Sequence, residues 1–402
     1  GSSLASAEQF KKVGNIIRKE ESRRYVIPSA PGKRTPDDTK VTDMLYGCYA
    51  AAENGEDFTE KLAAIKDRYQ EIINGLGLKF SLEQLEAIKE RYNSIIRGLN
   101  LDLSLDEEFK TIRTNFSKKI GRDYAASRGE YLNGIIMAAY LGYEFIDAAE
   151  VIVFDENGNF DGDKTHKILS ERLENTERAV IPGFYGAKPD GSIQTFSRGG
   201  SDITGSIVAK AVHADMYENW TDVSGFLIAD PRIIKNPKPI DVITYRELRE
   251  LSYMGATVLH EDAIFPVRKE GIPINIRNTN APEDKGTLIV EDTCRKPRFT
   301  ITGIAGKKDF ASITIEKAMM NSEVGFCRKV LEVFENNNIS IEHMPSGIDT
   351  MTIFVHQPEF EGKEQAVISA IHRLAKPDSI ELEGDLALIA VVGRGMKSTR
   401  GT

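Results

Sequence analysis

Cysteine is scarce. Cys48, Cys294 and Cys327 are the three thiols in 402 residues, an odd number, far apart and without C-x-x-C or Cys/His ligand spacing. A disulfide framework and a zinc site therefore lack support, and all three read as reduced thiols. Also missing is any run approaching the roughly 18 to 20 apolar residues that cross a bilayer, and no basic segment leads into an apolar one at the start. No membrane partner is expected, and the cytoplasm is the default compartment. A Lys/Arg block is absent too: 52 basic residues face 61 acidic ones, for a formal charge of −9, which argues against nucleic acid as a partner. What remains, 41% hydrophobic and 28% charged, is ordinary globular composition in a chain long enough for two or three domains.

The spacing of Phe10, Val13, Ile16 and Ile17 predicts a helix within 4–19, and Tyr25 to Ile27 reads as a short buried strand. Residues 28–40 are rich in turn formers, and a helix is expected from Val41 to Ala52. A local duplication follows: A-I-K-D-R-Y-x-x-I-I-x-G-L from Ala64 recurs as A-I-K-E-R-Y-x-x-I-I-x-G-L from Ala87. Leu62, Ile65, Tyr69, Ile72 and Ile73 match Leu85, Ile88, Tyr92, Ile95 and Ile96, one apolar helical stripe per copy. Two copies are too few for a solenoid, so a helical insertion at about 56–120 is expected.

From 130 to 298 helical patterns alternate with apolar strands at Val151–Phe154, Ala179–Phe184, Met216–Trp220, Ile272–Arg277 and Thr287–Val290, which is α/β organisation. The pattern breaks at Asp292–Pro297. Beyond it the order is strand (Ala311–Ile315), helix (Phe326–Asn336), strand (Ile339–Glu342), strand (Met351–Val355), helix (Glu364–Leu374) and strand (Ser379–Leu382), the ferredoxin-like βαββαβ arrangement. Leu386–Val392 reads as a further strand opening a second such unit.

The segment most suggestive of chemistry is Ser197-Arg198-Gly199-Gly200-Ser201-Asp202, leading into a helix from Ile203 to His213. Glycines before a helix expose backbone N–H groups and the positive end of its dipole, suited to phosphate or carboxylate, while Arg198 can fork a carboxylate. Taken alone, the same residues also describe a Gly-rich turn capped by Ser201 and Asp202. A second segment, Trp220-Thr221-Asp222-Val223-Ser224-Gly225 with Asp230-Pro231-Arg232, sits at a strand end, where α/β sheets gather ligands. Ser127-Arg128-Gly129-Glu130 precedes a third helix, where an acidic residue also suits the dipole without further purpose.

Together, and in this order, these segments resemble the aspartokinases of the amino acid kinase family over essentially the whole chain. The matching wording is Gly1-Ser2-Ser3, read as the remnant of a K-F-G-G-[ST]-S loop cut by an incomplete start; Ser29-Ala30-Pro31-Gly32 with Lys40-Val41-Thr42-Asp43; S-R-G-E at 127–130; R-G-G-S-D at 198–202; W-T-D-V-x-G at 220–225; D-P-R at 230–232; and G-A-x-V-L-H at 255–260. The fold so implied is an αβα sandwich with a mostly parallel sheet, followed by ferredoxin-like ACT domains. Its divisions are a catalytic domain at 1–298, one ACT domain at 310–383, and a second, incomplete here, from 299–309 and 384–402. The reaction implied is attack of the L-aspartate β-carboxylate on the γ-phosphorus of ATP, with Mg²⁺ bridging the phosphates. That nucleophile is ionised at pH 7 and needs no general base, so the enzyme aligns and neutralises.

The resemblance also assigns roles. Thr42, Glu130, Arg198 and Ser201 fall at aspartate-binding positions, with Arg198 on a carboxylate and Glu130 on the ammonium group. Gly1, Ser2, Thr221, Asp222, Arg232, Thr257 and Val258 fall at nucleotide positions, and Asp202 organises the cations around the transferred phosphoryl group, sharing the catalytic part with Arg198. Effector contacts are expected at Met320, Gly325, Phe326, Glu342 and Ser346. Lysine is the first effector expected, alone or with threonine, and ACT pairing implies a homodimer or homotetramer.

Three departures stand against the pattern. The loop lysine is absent, Leu227 replaces a nucleotide-contacting Tyr, and Thr257 replaces a Lys whose charge another group would have to supply; Lys235, Lys238 and Arg268 are near in sequence. The rival reading from another class is a catalytically dead amino-acid sensor. Within the fold, glutamate, acetylglutamate or nucleotide kinases lack this combination of R-G-G-S-D, W-T-D-V and tandem ACT units.

Overall fold

A computed structural model of the chain describes residues 1–78, 105–197, 199–255, 264–292, 299–397 and 399–400. Two compact units result: one of Gly1–Ile228, Lys235–Ser252 and Thr257–Arg298, the other of Ala229–Ile234, Tyr253–Ala256 and Phe299–Thr402.

In the first unit, Ser6 caps the helix Ala7–Lys19 by accepting the Gln9 N–H, as a serine before an amphipathic run does. The expected helix after the loop covers Val41–Glu53. The first duplicated copy is the helix Thr59–Leu76, ended by Gly77 in the left-handed conformation, and its five stripe residues Leu62, Ile65, Tyr69, Ile72 and Ile73 are all buried. The second copy lies outside the described residues. Thr59–Leu76 shares one apolar core with Val41–Glu53, Asp106–Ser117 and Arg122–Leu141.

Strands β1 (Tyr25–Val26) and β2 (Glu144–Phe145) flank β3 (Ala179–Val180), all parallel. A hairpin joins β4 (Tyr185–Ala187) to β5 (Ile193–Thr195). The second sheet has β6 (Tyr217–Thr221), β7 (Val242–Thr244), β8 (Ile274–Asn278) and β9 (Thr287–Val290) in the order β6-β8-β9-β7, with β6–β8 and β7–β9 parallel and β8–β9 antiparallel. The fold class is thus α/β with mostly parallel sheets.

Two expected strands are corrected. Val151 ends the short helix Ala148–Val151, started when the Asp147 side chain accepts the Ala149 N–H; only Val153 and Phe154 remain extended, as isolated bridges to Ala187 and Phe160. Ala179–Phe184 stops as a strand after Val180, because Pro182 brings no N–H to a ladder and Phe184 takes φ +83°.

The second unit is an antiparallel sheet of β10 (Gly303–Glu316), β11 (Ile341–His343), β12 (Thr350–His356) and β13 (Ser379–Val392) in the order β11-β12-β10-β13, with the helices Phe326–Asn336 and Glu364–Ala375 closing its core. This is the ferredoxin-like ACT arrangement. Leu386–Val392, expected as a new strand, continues β13, and 303–307 pairs with it as the start of β10. Register shifts between Lys307 and Ser312, with Asp309 and Asp385 at φ +68° and +56°, let both strands bend without ending.

Candidate active site

The helix Gly200–Ala211 starts from Gly199 in the left-handed conformation. Its first turn is pressed onto the chain that leaves β3. A Cβ on Gly183 would stand 2.7 Å from the Ser201 Cα and Cβ, so only glycine lets these two backbones meet. Thr204 Oγ1 ties the contact down, donating to the Gly200 carbonyl at 2.9 Å and accepting the Phe184 N–H at 3.1 Å. Ser201 and Asp202 are thereby held at the positive end of the helix. Asp202 Oδ1 accepts from Asn219 Nδ2 at 2.8 Å, and its carbonyl accepts from the Tyr217 hydroxyl at 3.2 Å, both from β6.

Opposite lies the turn Gly1–Leu4. The Gly32 N–H donates to the Gly1 carbonyl at 2.9 Å, and a Cβ on Gly32 would meet Gly1 C and Ser2 N at 2.6 Å. Ser2 Oγ donates to Asp222 Oδ2 at 3.0 Å, and Thr279 Oγ1 bridges Ser3 Oγ and the Thr221 carbonyl. The end of β6 and the first turn are therefore stitched together. Behind them Trp220 lies between the guanidinium groups of Arg23 and Arg277, at 5.3 and 4.8 Å from the ring centre, and Glu218 bonds both arginines and the indole N–H.

Glu130 is the most unusual group. It is 6% exposed, on the buried face of the helix Arg122–Leu141, and its Oε2 has no hydrogen-bond partner. Burial pushes its carboxyl up to about 7, against the Ala30 N–H and Arg128, which favour the charged form. A buried carboxylate oxygen without a donor is costly unless it takes a proton or a cation arrives. Gly1 lies against Gly32 and Ala30, and the Ala30 N–H bonds Glu130, so the first turn, with Asp222 on its Ser2 hydroxyl, adjoins the same region. Thr42 belongs to the same wall, since Gly129 packs on Ala30 with Thr42 Oγ1 close by. Arg128 is enclosed by the rings of Tyr124, Tyr131 and Tyr185 at 4.5, 4.3 and 5.4 Å.

Of the residues singled out in sequence, Gly1 and Ser2 fall in the first turn, Thr42, Glu130, Ser201 and Asp202 on the helices Val41–Glu53, Arg122–Leu141 and Gly200–Ala211, and Thr221 and Asp222 at the end of β6. Arg198, Thr257 and Val258 lie outside the described residues. Arg232 is exposed and forks its own neighbour Asp230, Nη2 to Oδ2 at 2.6 Å. Among the described residues no cluster of three or more His, Cys, Asp or Glu is arranged to hold a metal ion, and no helix is long and apolar enough to cross a membrane.

In the second unit, Met320 and Phe326 are buried in the apolar core and Gly325, at φ +83°, precedes the helix Phe326–Asn336. Their side chains are committed to packing, leaving backbone to meet a ligand. Glu342 accepts from the Tyr253 hydroxyl and faces Lys307 at 4.0 Å; Ser346 forms a bridge with Met351. Between Met320 and Gly325, Glu323 bonds Lys317 and Lys329, which hold its carboxyl down at about 2.

The model of the amino acid kinase family matches residues 1–278. Aspartokinase 3 of Bacillus subtilis is 38% identical over all of this chain and 87% of its own length. The chain belongs to the aspartokinases of the amino acid kinase family. Among solved structures, the aspartate kinase of Clostridium acetobutylicum is 52% identical, with a TM-score of 0.88 over all of this chain and 87% of that one. Aspartokinase III of Escherichia coli, solved in complex with lysine and aspartate, shares the fold at 24% identity and a TM-score of 0.67, covering 98% of this chain and 85% of that one. The aspartate kinase activity follows from these relatives, and the dead-sensor reading is set aside.

Proposed function

We infer that this aspartokinase uses Mg-ATP to phosphorylate the β-carboxylate of L-aspartate, giving 4-phospho-L-aspartate, the first step toward lysine, threonine and methionine, and that lysine, alone or with threonine, restrains it through the ACT domains. The observation that carries the substrate half is Glu130: a buried carboxylate with one unpartnered oxygen, set among loops that end in backbone N–H groups and hydroxyls, suits an ammonium group whose owner is otherwise anionic.

In this reading Glu130 receives the substrate ammonium, Thr42 and Ser201 donate to its carboxylates, and Arg198 forks one of them. The first turn of Gly200–Ala211 adds its dipole to that anion binding. Gly1, Ser2, Thr221, Asp222, Arg232, Thr257 and Val258 hold the nucleotide. Mg²⁺ keeps several waters and takes few protein ligands, so Asp202 and Asp222 are the residues that would hold it, and it would supply neutralisation of phosphate charge. The remaining work of the residues is alignment of a nucleophile that is already ionised. The proposed domains are 1–298 for catalysis, 310–383 for one ACT domain, and 299–309 with 384–402 for the second. Met320, Gly325, Phe326, Glu342 and Ser346 take the effector, in a homodimer or homotetramer within the cytoplasm. The shared fold of the E. coli protein bound to lysine and aspartate is consistent with both ligands.

The test is ADP release with Mg-ATP and a panel of amino acids, hydroxylamine trapping the acyl phosphate, repeated with added lysine and threonine. Turnover with aspartate alone, suppressed by lysine, is expected. Turnover with another amino acid, or none, refutes the substrate assignment; indifference to lysine refutes the effector assignment.

A further inference from the structure

The helix Thr59–Leu76 was expected from its sequence as part of a helical insertion packed on a larger domain. Yet Arg68 and Tyr69, adjacent on it, are 4% and 0% exposed, and both reach away from the helix to other backbone, Arg68 to the loop 32–39 and Tyr69 to the helix Arg122–Leu141. The Arg68 guanidinium donates to the Thr39 carbonyl at 2.6 Å and to the Gly32 carbonyl, and pairs with Asp38 at 3.1 Å. The Tyr69 hydroxyl donates to the Gly129 carbonyl at 2.7 Å.

These three carbonyls are strategic. Gly32 carries the N–H that holds Gly1, and its Cα touches the Gly1–Ser2 peptide. Thr39 lies three residues before Thr42, and Gly129 immediately precedes Glu130. One arginine therefore spans the loop 32–39 from its phosphate-side end to its substrate-side end, while the neighbouring tyrosine fixes the backbone beneath the ammonium-binding carboxylate. Asp38 is shared with Arg34, which also pairs with Glu71 on the same helix, so the loop is held from both faces. A fully hydrophobic residue at 68 would satisfy the core, but burying a guanidinium costs unless its hydrogen bonds serve a purpose.

We propose that Arg68 and Tyr69 are positioning residues for the active site: Arg68 clamps the loop that joins the nucleotide and aspartate sides, and Tyr69 sets the height of Glu130. The kinetic part rests on the aspartate kinase reading; the clamp itself does not. Arg68→Lys keeps the charge but cannot fork two carbonyls, and Tyr69→Phe removes one hydroxyl without changing shape.

The test uses the full chain, with Asp67→Ala, at an exposed position of the same helix, as the reference variant. Tyr69→Phe is expected to raise KM for aspartate about fivefold, the loss of one hydrogen bond, leaving KM for ATP unchanged. Arg68→Lys is expected to raise both KM values about fivefold to tenfold on the same scale, with Asp67→Ala as wild type. Amide exchange of the ligand-free protein reads the clamp independently of any substrate: Arg68→Lys speeds exchange at Gly32 and Val41 and spares the helix Ala7–Lys19. A lowered melting temperature with wild-type KM values overturns the positioning role. Unaltered exchange at Gly32 and Val41 overturns the clamp whatever the substrate proves to be, whereas altered exchange in a protein that ignores aspartate overturns only the substrate reading.

Discussion

A carboxyl such as Glu130, held near 7 by burial, gives the protein a pH dependence whose sign is determined. The folded group binds its proton more tightly than the unfolded one, whose value is 4.5. Its contribution to stability is therefore full below about 4.5 and lost as pH rises through 7, a penalty of roughly 3 kcal/mol at the top of that window. Glu130→Gln is expected to flatten that part of the stability-versus-pH curve in the ligand-free protein, measured by denaturant unfolding from pH 4.5 to 8; an unchanged slope would show that Glu130 is not the group titrating. Aspartate brings a cation to the same oxygen, so KM for aspartate is expected to fall between pH 6 and 8 in the wild type and to stay high and flat in Glu130→Gln. At the residue scale the motif letters were legible, but the lack of a partner for Oε2 was not, because it depends on side chains and backbone from four separate segments.

At the scale of elements, the helix Gly200–Ala211 is both a dipole and a wall, and it functions only if its first turn stays against the Gly183–Phe184 backbone. Thr204 Oγ1 makes the two hydrogen bonds that keep it there. Thr204→Val keeps the shape and removes both, leaving the Phe184 N–H without its partner; a loss of about 1–3 kcal/mol in chemical denaturation is expected, with a higher KM for aspartate. Full retention of stability would show that the contact is held by packing alone. Helices were the best-read elements, since their apolar stripes repeat every three or four residues over several turns. The first copy of the duplication illustrates the limit: its stripe announced a buried face, while the reach of Arg68 to the loop 32–39 and of Tyr69 to the helix Arg122–Leu141 depends on what lies across from it. Strands suffered more. The periodicity of Val151–Phe154 and of Ala179–Phe184 is too short to resist the Asp147 cap or the Pro182 break.

At the scale of the whole molecule, the two units have separate apolar cores with no shared residue. Ile353, fully buried in the second core, should lose about 2–5 kcal/mol on truncation to Ala. The expectation is that Ile353→Ala lowers the unfolding of the C-terminal unit in calorimetry and weakens the lysine response, while aspartate phosphorylation without effector persists at temperatures below that transition. Loss of basal turnover in step with the C-terminal unit would show the two to be one cooperative body.

Composition, periodicity and motif order by themselves determined the α/β class, the ferredoxin-like C-terminal order, the helix with a buried stripe and the likeness to the aspartokinases. Those features are local: a repeat along one helix, or a glycine beside a helix start, is written in neighbouring letters. Only the tertiary structure decided that Gly32 touches Gly1, that Asn219 steadies Asp202, that β10 and β13 each run unbroken through a bulge, and that Arg68 and Tyr69 reach the loop 32–39 and the helix that carries Glu130. Each of these is a meeting of segments far apart in the chain, and the free energy that selects it comes from burial and hydrogen bonds that exist only once those segments are packed together.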